Sequence, residues 1–292
     1  MSDRNENFGL LLGFAGMLLF AGTLPAARLA VVTISPWFFT MGRAAIAGIV
    51  ALAILVATGR TLAPGAAWRD IAIIAASLVF GFPLFSAFGM VTVPAAHGGV
   101  VMGVLPLATA AAAAALAQER PSAGFWIAGI AGAGLVIAFA WRNGGPGSLV
   151  GGDLFLVGSV LVCAVGYAVA GRMSLAMPGW EVICRALVLA LPVSLVGSAL
   201  SWPHDPAAVP LAAWAALLYV ALATQLIGFF VWNAGLALGG IARVGQIQLL
   251  QPFVVIGLAA AINGEPVDFE TLLFAAAVVA TVMIGRRMRV RR

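Results

Sequence analysis

The sequence predicts an all-α membrane protein of ten transmembrane helices arranged as two inverted five-helix repeats. Its 292 residues are 63% hydrophobic and only 9% charged, far below the roughly 25% charged residues of ordinary soluble domains. A soluble fold has no way to cover that much apolar surface. A helical crossing takes ~20 mostly apolar residues, and breaks rich in Pro, Gly and charge divide the chain into ten such stretches. The second half then repeats landmarks of the first at fixed spacing.

The spans fall near 8–30, 36–57, 71–91, 95–117 and 124–141, and then near 151–172, 180–200, 211–232, 240–262 and 270–285. Leu10 to Phe20 followed by Leu24-Pro25-Ala26-Ala27 has the outline of a signal peptide, but the apolar spans that follow favour a first membrane helix. All eight tryptophans, Trp37, Trp68, Trp126, Trp141, Trp180, Trp202, Trp214 and Trp232, lie at or near span ends. Indole rings concentrate at the membrane–water interface, so this placement supports the spans.

Orientation follows from arginine, because every one of the fifteen basic residues is an arginine. Starting from a cytoplasmic N-terminus, the inner side receives Arg4, Arg60, Arg69, Arg120, Arg172, Arg286, Arg287, Arg289, Arg291 and Arg292. The outer side receives only Arg28 and Arg142. Positive loops stay inside, so both termini are expected in the cytoplasm of a cell with this protein in its inner membrane. The arginine-rich tail reads as a stop-transfer signal held by anionic lipid headgroups rather than as a nucleic-acid arm.

The internal repeat is the most specific feature. His97-Gly98-Gly99, Pro106 and Glu119 are matched by Arg243-Val244-Gly245, Pro252 and Glu265, each 146 residues on. Pro36 with Arg43 is matched by Pro178 with Arg185, and Arg28 by Arg172 at the ends of spans one and six. The chain therefore divides into a first repeat over 1–143, a linker over 144–150 containing Gly144-Gly145-Pro146-Gly147-Ser148, and a second repeat with its basic tail over 151–292. Because five is odd, a short linker makes the two repeats enter the bilayer from opposite sides, the arrangement typical of secondary transporters.

On these landmarks the chain resembles the EamA-type transporters of the drug/metabolite transporter superfamily over essentially its whole length. Within them it is most similar to the bacterial exporters of amino acids, including aromatic ones. The resemblance implies two antiparallel bundles around a central cavity lined by spans one, three, four, six, eight and nine. It implies alternating access and a small-molecule substrate, amino acids first.

Other classes fit less well. Without lysine there is no Walker P-loop and no Schiff base, and two cysteines, Cys163 and Cys184, with two histidines, His97 and His204, supply no metal spacing. No cofactor is implied. An intramembrane enzyme needs a nucleophile beside a base, and the only bases in or near the membrane are His97 and acids near span ends. A membrane scaffold would require neither the repeat nor polar residues at mid-span.

Polar groups in the hydrocarbon region are costly and face a bundle interior or a wet cavity. Gln246, Gln248 and Gln251 in span nine and Thr224 and Gln225 in span eight form the densest set. Each amide either lines a cavity or ties helices together, and three glutamines within six residues point in different directions. Ser159, Cys163 and Tyr167 share one face of span six, either in the cavity or on a packed interface. Phe20, Phe82 and Phe85 are candidate apolar walls, and Met102 joins them in span four. His97 near the outer end of span four and Arg243 near the inner end of span nine suit attraction of a carboxylate at the two mouths; water at the interface would satisfy His97 equally well. Arg43 and Arg185 are expected to snorkel toward headgroups. Pro25, Pro83, Pro106 and Pro252 mark bends, static or moving.

All ten acids lie in a loop, a tail or near a span end. Proton-coupled carriers keep an embedded carboxylate or histidine, so facilitated movement down a gradient is expected. The small faces of span four (Ala110 to Ala115) and span five (Ala128, Gly132) suit packing within one chain, which favours a monomer.

Overall fold

The structure, a computed structural model, describes residues 3–60, 67–116, 120–144, 151–174, 176–239, 245–287 and 290–291. The inter-repeat segment Gly145 to Ser148, Glu119 and Arg243 lie outside the described residues, as does the side chain of Gln246. Among the described residues, seven helical stretches are long and apolar enough to cross a membrane: Asn7–Val31, Pro36–Ala57, Trp68–Thr92, Ala95–Leu116, Gly152–Met173, Gly179–Leu200 and Leu211–Leu236. Three shorter apolar helices cover Ala123–Phe139, Ile247–Asn263 and Phe269–Ile284.

In chain order the helices are α1 (Asp3–Ala21), α2 (Thr23–Val31), α3 (Pro36–Ala57), α4 (Trp68–Ile74), α5 (Phe82–Thr92), α6 (Ala95–Met102) and α7 (Leu105–Leu116). They continue as α8 (Ala123–Gly144), α9 (Gly152–Met173), α10 (Gly179–Leu200), α11 (Leu211–Tyr219), α12 (Gly228–Gly239), α13 (Gln251–Asn263) and α14 (Phe269–Arg287). The start of α3 shows why such boundaries hold. Ser35 accepts a hydrogen bond from the Phe38 amide at 3.1 Å, and Pro36 occupies the first turn, where its missing N–H costs nothing.

The halves are interleaved. Helix α3 packs along α10 and α8 along α14, each a pair of repeat equivalents, α6 packs against α13 where the equivalent spans four and nine meet, and α1 packs along α12 and α5 along α9. Close approach depends on small residues. A side chain at Gly48 of α3 would meet Leu191 at 2.9 Å and the Leu187 carbonyl at 3.2 Å, so the glycine sets how near α10 can lie. Outward faces carry Leu11, Ile130, Val196 and Leu200, the surface a hydrocarbon solvent accepts and water does not. Trp37, Trp68, Trp126 and Trp202 stand exposed at helix ends, as expected of an interfacial belt, but Trp232 is buried against Phe20.

The prolines explain where helices break. A proline leaves the carbonyl four residues earlier without its helical partner. Four residues before Pro25 is Ala21, the end of α1; four before Pro106 is Met102, the end of α6. Four before Pro83 is Val79, inside a π-helical stretch Ala75–Gly81, and four before Pro252 is Gln248, inside a 3₁₀ stretch Gly245–Leu250. A second π stretch, Val220–Ile227, lies one repeat spacing from the first. The break at Gly22 is packed closed, because a Cβ there would sit 2.2 Å from the Tyr219 hydroxyl, which donates to the Leu19 carbonyl at 2.8 Å.

Polar contacts gather where helices end. Asp70 pairs with Arg172 at 2.8 Å, and Glu181 with Arg185 at 2.6 Å and Arg60 at 3.6 Å. Arg142 pairs with Glu270, and Arg28 donates to the Met90 and Val91 carbonyls at 2.5 and 2.7 Å. Pro94 precedes α6 and has no capping side chain, so Glu265 from the loop before α14 takes that place. Its carboxylate accepts the Ala95 and Ala96 amides at 2.7 and 2.8 Å, where a helix N-terminus favours an anion. A short antiparallel bridge joins Arg120 and Pro121 to Arg291 and Val290.

Candidate functional site

The two π stretches and the α1–α2 break surround one internal cavity. It is lined by Phe20, Thr23, Arg43, Leu78, Phe82, Cys163, Tyr167, Thr224, Gln225 and Phe229. Its volume is about 20 Å³, room for about one water molecule. A π turn holds an extra residue per turn and concentrates at functional sites. Here the stretch Val220–Ile227 carries Thr224 and Gln225, 2% and 1% exposed.

Arg43 is the centre of the polar wall. It is 3% exposed, so it does not snorkel as the sequence suggested. Its polar partners lie across the cavity instead. Nε donates to the Gln225 Oε1 at 2.6 Å, and Nη2 donates to the Thr224 hydroxyl at 3.1 Å, which passes its own proton to the Val220 carbonyl at 2.8 Å. Two buried donors are left over, Nη1 of Arg43 and Nε2 of Gln225. Tyr167 and Cys163 are hydrogen-bonded to each other on the facing helix α9. Phe20 meets Phe229 edge-to-face at 5.2 Å, and Tyr167 meets Phe229 at 6.1 Å, so the remaining wall is aromatic.

The expected site residues separate into groups. Phe20, Phe82, Tyr167 and Gln225 come together in this cavity. Met102, Gln248, Pro106 and Pro252 come together in a second, smaller one of about 10 Å³, with Gly99, Gly103, Leu105, Gln251 and Val255 between α6–α7 and α13. Phe85 belongs to neither, since its ring lies 6.2 Å from Phe155. His97 is not at a wet mouth. It is 8% exposed, with Nε2 at 2.8 Å from Asp153 Oδ1 and its ring 4.7 Å from Phe139.

Arg43, Thr23, Leu78 and Phe229 were not expected here. A signal for Arg43 existed in the repeat. Its equivalent Arg185 has Glu181 four residues earlier, and the matching position before Arg43 is Phe39. One arginine carries its own acid; the other does not.

A family profile described as "EamA-like transporter family" matches residues 7–140 and again 150–285. A Bacillus subtilis (strain 168) protein named "Uncharacterized transporter YdeK" is 42% identical over 279 residues, 96% of this chain and 97% of its own. A second protein of that strain, "Uncharacterized transporter YyaM", is 24% identical over 283 residues, covering 94% of this chain and 91% of its own. A solved crystal structure shares the fold at a TM-score of 0.64 and 20% identity, over 94% of this chain and 95% of its own.

Proposed function

The chain belongs to the EamA-like transporter family, a family of multi-pass membrane transporters rather than enzymes, and we propose that it moves amino acids or similar small metabolites across a bacterial inner membrane as a secondary transporter. The observation that carries this reading is the small polar cavity itself. It holds about one water, less than any metabolite, so it represents an occluded state that substrate occupies only after the surrounding helices shift. The interruptions beside Pro25, Pro83, Pro106 and Pro252 supply places for that shift, the last two in equivalent spans of the two halves.

Ten spans in two inverted repeats, 1–143 and 151–292, account for the seven long and three shorter apolar helices. The interleaved pairing of equivalent helices supports a two-fold exchange of the halves, which is how alternating access is built in such folds. Export follows the family resemblance, and a single chain supplies both halves of the cavity.

The test is uptake of radiolabelled amino acids, sugars and nucleosides into liposomes that contain only this protein. At least one amino acid should enter faster than into protein-free liposomes, and Ala at Tyr167, Gln246 or Gln248 should reduce that rate in at least one case. Normal transport in all three variants would remove these residues from the site; no entry of any compound would remove the transport reading.

A further inference from the structure

We infer that Arg43 and Gln225 form a binding site for the carboxylate of the substrate, so that the chain takes apolar or aromatic carboxylates and reads their acid group without reading an ammonium. This deepens the transport reading and rests on it for how the ligand arrives.

A guanidinium in a membrane interior is held there by a partner or by a function, and an unpaired buried charge is costly. Each acid whose side chain is described is engaged elsewhere. Asp70 holds Arg172, Asp153 holds His97, and Glu181 holds Arg60 and Arg185. Asp205 accepts the Ala207 and Ala208 amides, Glu265 those of Ala95 and Ala96, and Asp268 that of Thr271, while Glu270 holds Arg142. Among the described residues Arg43 therefore faces only neutral groups, an amide oxygen and a hydroxyl.

Geometry points the same way. The donors without partners, Nη1 of Arg43 and Nε2 of Gln225, belong to two residues already joined at 2.6 Å, and both residues line the cavity. Two adjacent donors, one charged, match the two oxygens of a carboxylate. The rest of the wall is Phe20, Phe82, Tyr167 and Phe229, which suits an aromatic body, and it contains no carboxylate to receive an ammonium.

A role as a mere tie between α3 and the π stretch would already be served by the two bonds Arg43 makes, and a neutral side chain would serve it without the cost of charge. The repeat supports the distinction. Where Arg185 is structural, Glu181 sits 2.6 Å away within the same helix.

The experiment uses four probes that share one ring: L-phenylalanine, 3-phenylpropionate, phenethylamine and 3-phenylpropionamide. Binding to the purified full chain is read as protection against thermal unfolding, the ligand concentration that raises the transition by a fixed interval. The two acids should protect at concentrations within about threefold of each other, and the amine and the amide should need roughly ten- to hundredfold more, the value of a charge-assisted bond pair. Arg43→Gln should abolish that preference. Gln225→Glu changes no shape but gives Arg43 a resident carboxylate; it should raise the thermal transition and abolish protection by both acids, and it carries the test where Arg43→Gln does not fold. Equal protection by amide and acid, protection by neither acid, or unchanged protection in Gln225→Glu overturns the site. In liposomes the readings separate. Acids that bind but never cross refute transport and leave the site, whereas amide flux equal to acid flux, unchanged in Arg43→Gln, refutes the site and leaves transport.

Discussion

Three buried charged clusters meet the cost of leaving water in three ways. Arg185 has an acid one turn away in its own helix, Arg43 reaches across the cavity to an amide, and His97 with Asp153 closes on itself at 2.8 Å. The last arrangement bears on energy coupling. Asp153 and Glu181 do lie in first helical turns, where the sequence put them, but neighbouring helices cover them to 8% and 3% exposure. A proton carried on every cycle needs a group that faces the two sides in turn. No Asp, Glu or His lines the central cavity among the described residues, and His97 is spent on Asp153. A pH gradient alone should therefore leave substrate at equal concentration across a liposome, and His97→Gln should lower thermal stability by roughly 1–3 kcal/mol while leaving that result unchanged. Accumulation driven by the gradient in the parent chain, and lost in His97→Gln, would show the pair to be the coupling site. Tyr167 and Gln225 were legible as cavity residues because both are polar at mid-span. Arg43 was not, since snorkelling is the default for an arginine and only comparison with Glu181 and Phe39 in the two repeats reveals the missing counter-ion.

Helix interruptions are where element and motion meet. Three of the four proline breaks have a signal any reader of the sequence finds, a proline inside an apolar run, and the element changes one turn earlier as the lost hydrogen bond requires. The fourth, at Pro252, was legible through its spacing from Pro106. The π stretch Val220–Ile227 contains no proline, so nothing local announces it; its place follows only from the repeat, opposite Ala75–Gly81. Pro192 shows the limit of the rule, because α10 runs through it unbroken, held along its length by α3. If the breaks at Pro106 and Pro252 are the moving parts, restoring an N–H at both should stiffen them. The double variant Pro106→Ala, Pro252→Ala should unfold at a higher temperature, by the equivalent of about 0.5–2 kcal/mol, and transport several-fold more slowly, with substrate still raising its thermal transition further. Unchanged flux at raised stability would make both prolines static kinks.

For the molecule as a whole, symmetry and orientation are one question. The polar contacts join particular ends: Asp70 with Arg172 and Arg60 with Glu181 on one side, Arg142 with Glu270 and Glu265 with the Ala95 and Ala96 amides on the other. Counting spans from a cytoplasmic N-terminus puts the first group inside and the second outside. Counted as ten spans, both members of each pair fall on one face of a hydrocarbon layer ~30 Å thick, so the contacts fit the inverted five-and-five arrangement proposed above. The excess of arginine, ten in the loops and tail of one side against two on the other, favours the assignment with cytoplasmic termini. Repeat-equivalent positions give the decisive measurement. Thr58 follows α3, Ala207 lies in the segment after its equivalent α10, and both are exposed. Inverted repeats place them on opposite faces, whereas parallel repeats would place them on the same one. With Cys163→Ala and Cys184→Ala as background, a cysteine at Ala207 should react with a membrane-impermeant maleimide in intact spheroplasts, and a cysteine at Thr58 only after lysis. The reversed pattern would overturn the cytoplasmic termini, and reaction of both from one side would overturn the inversion itself.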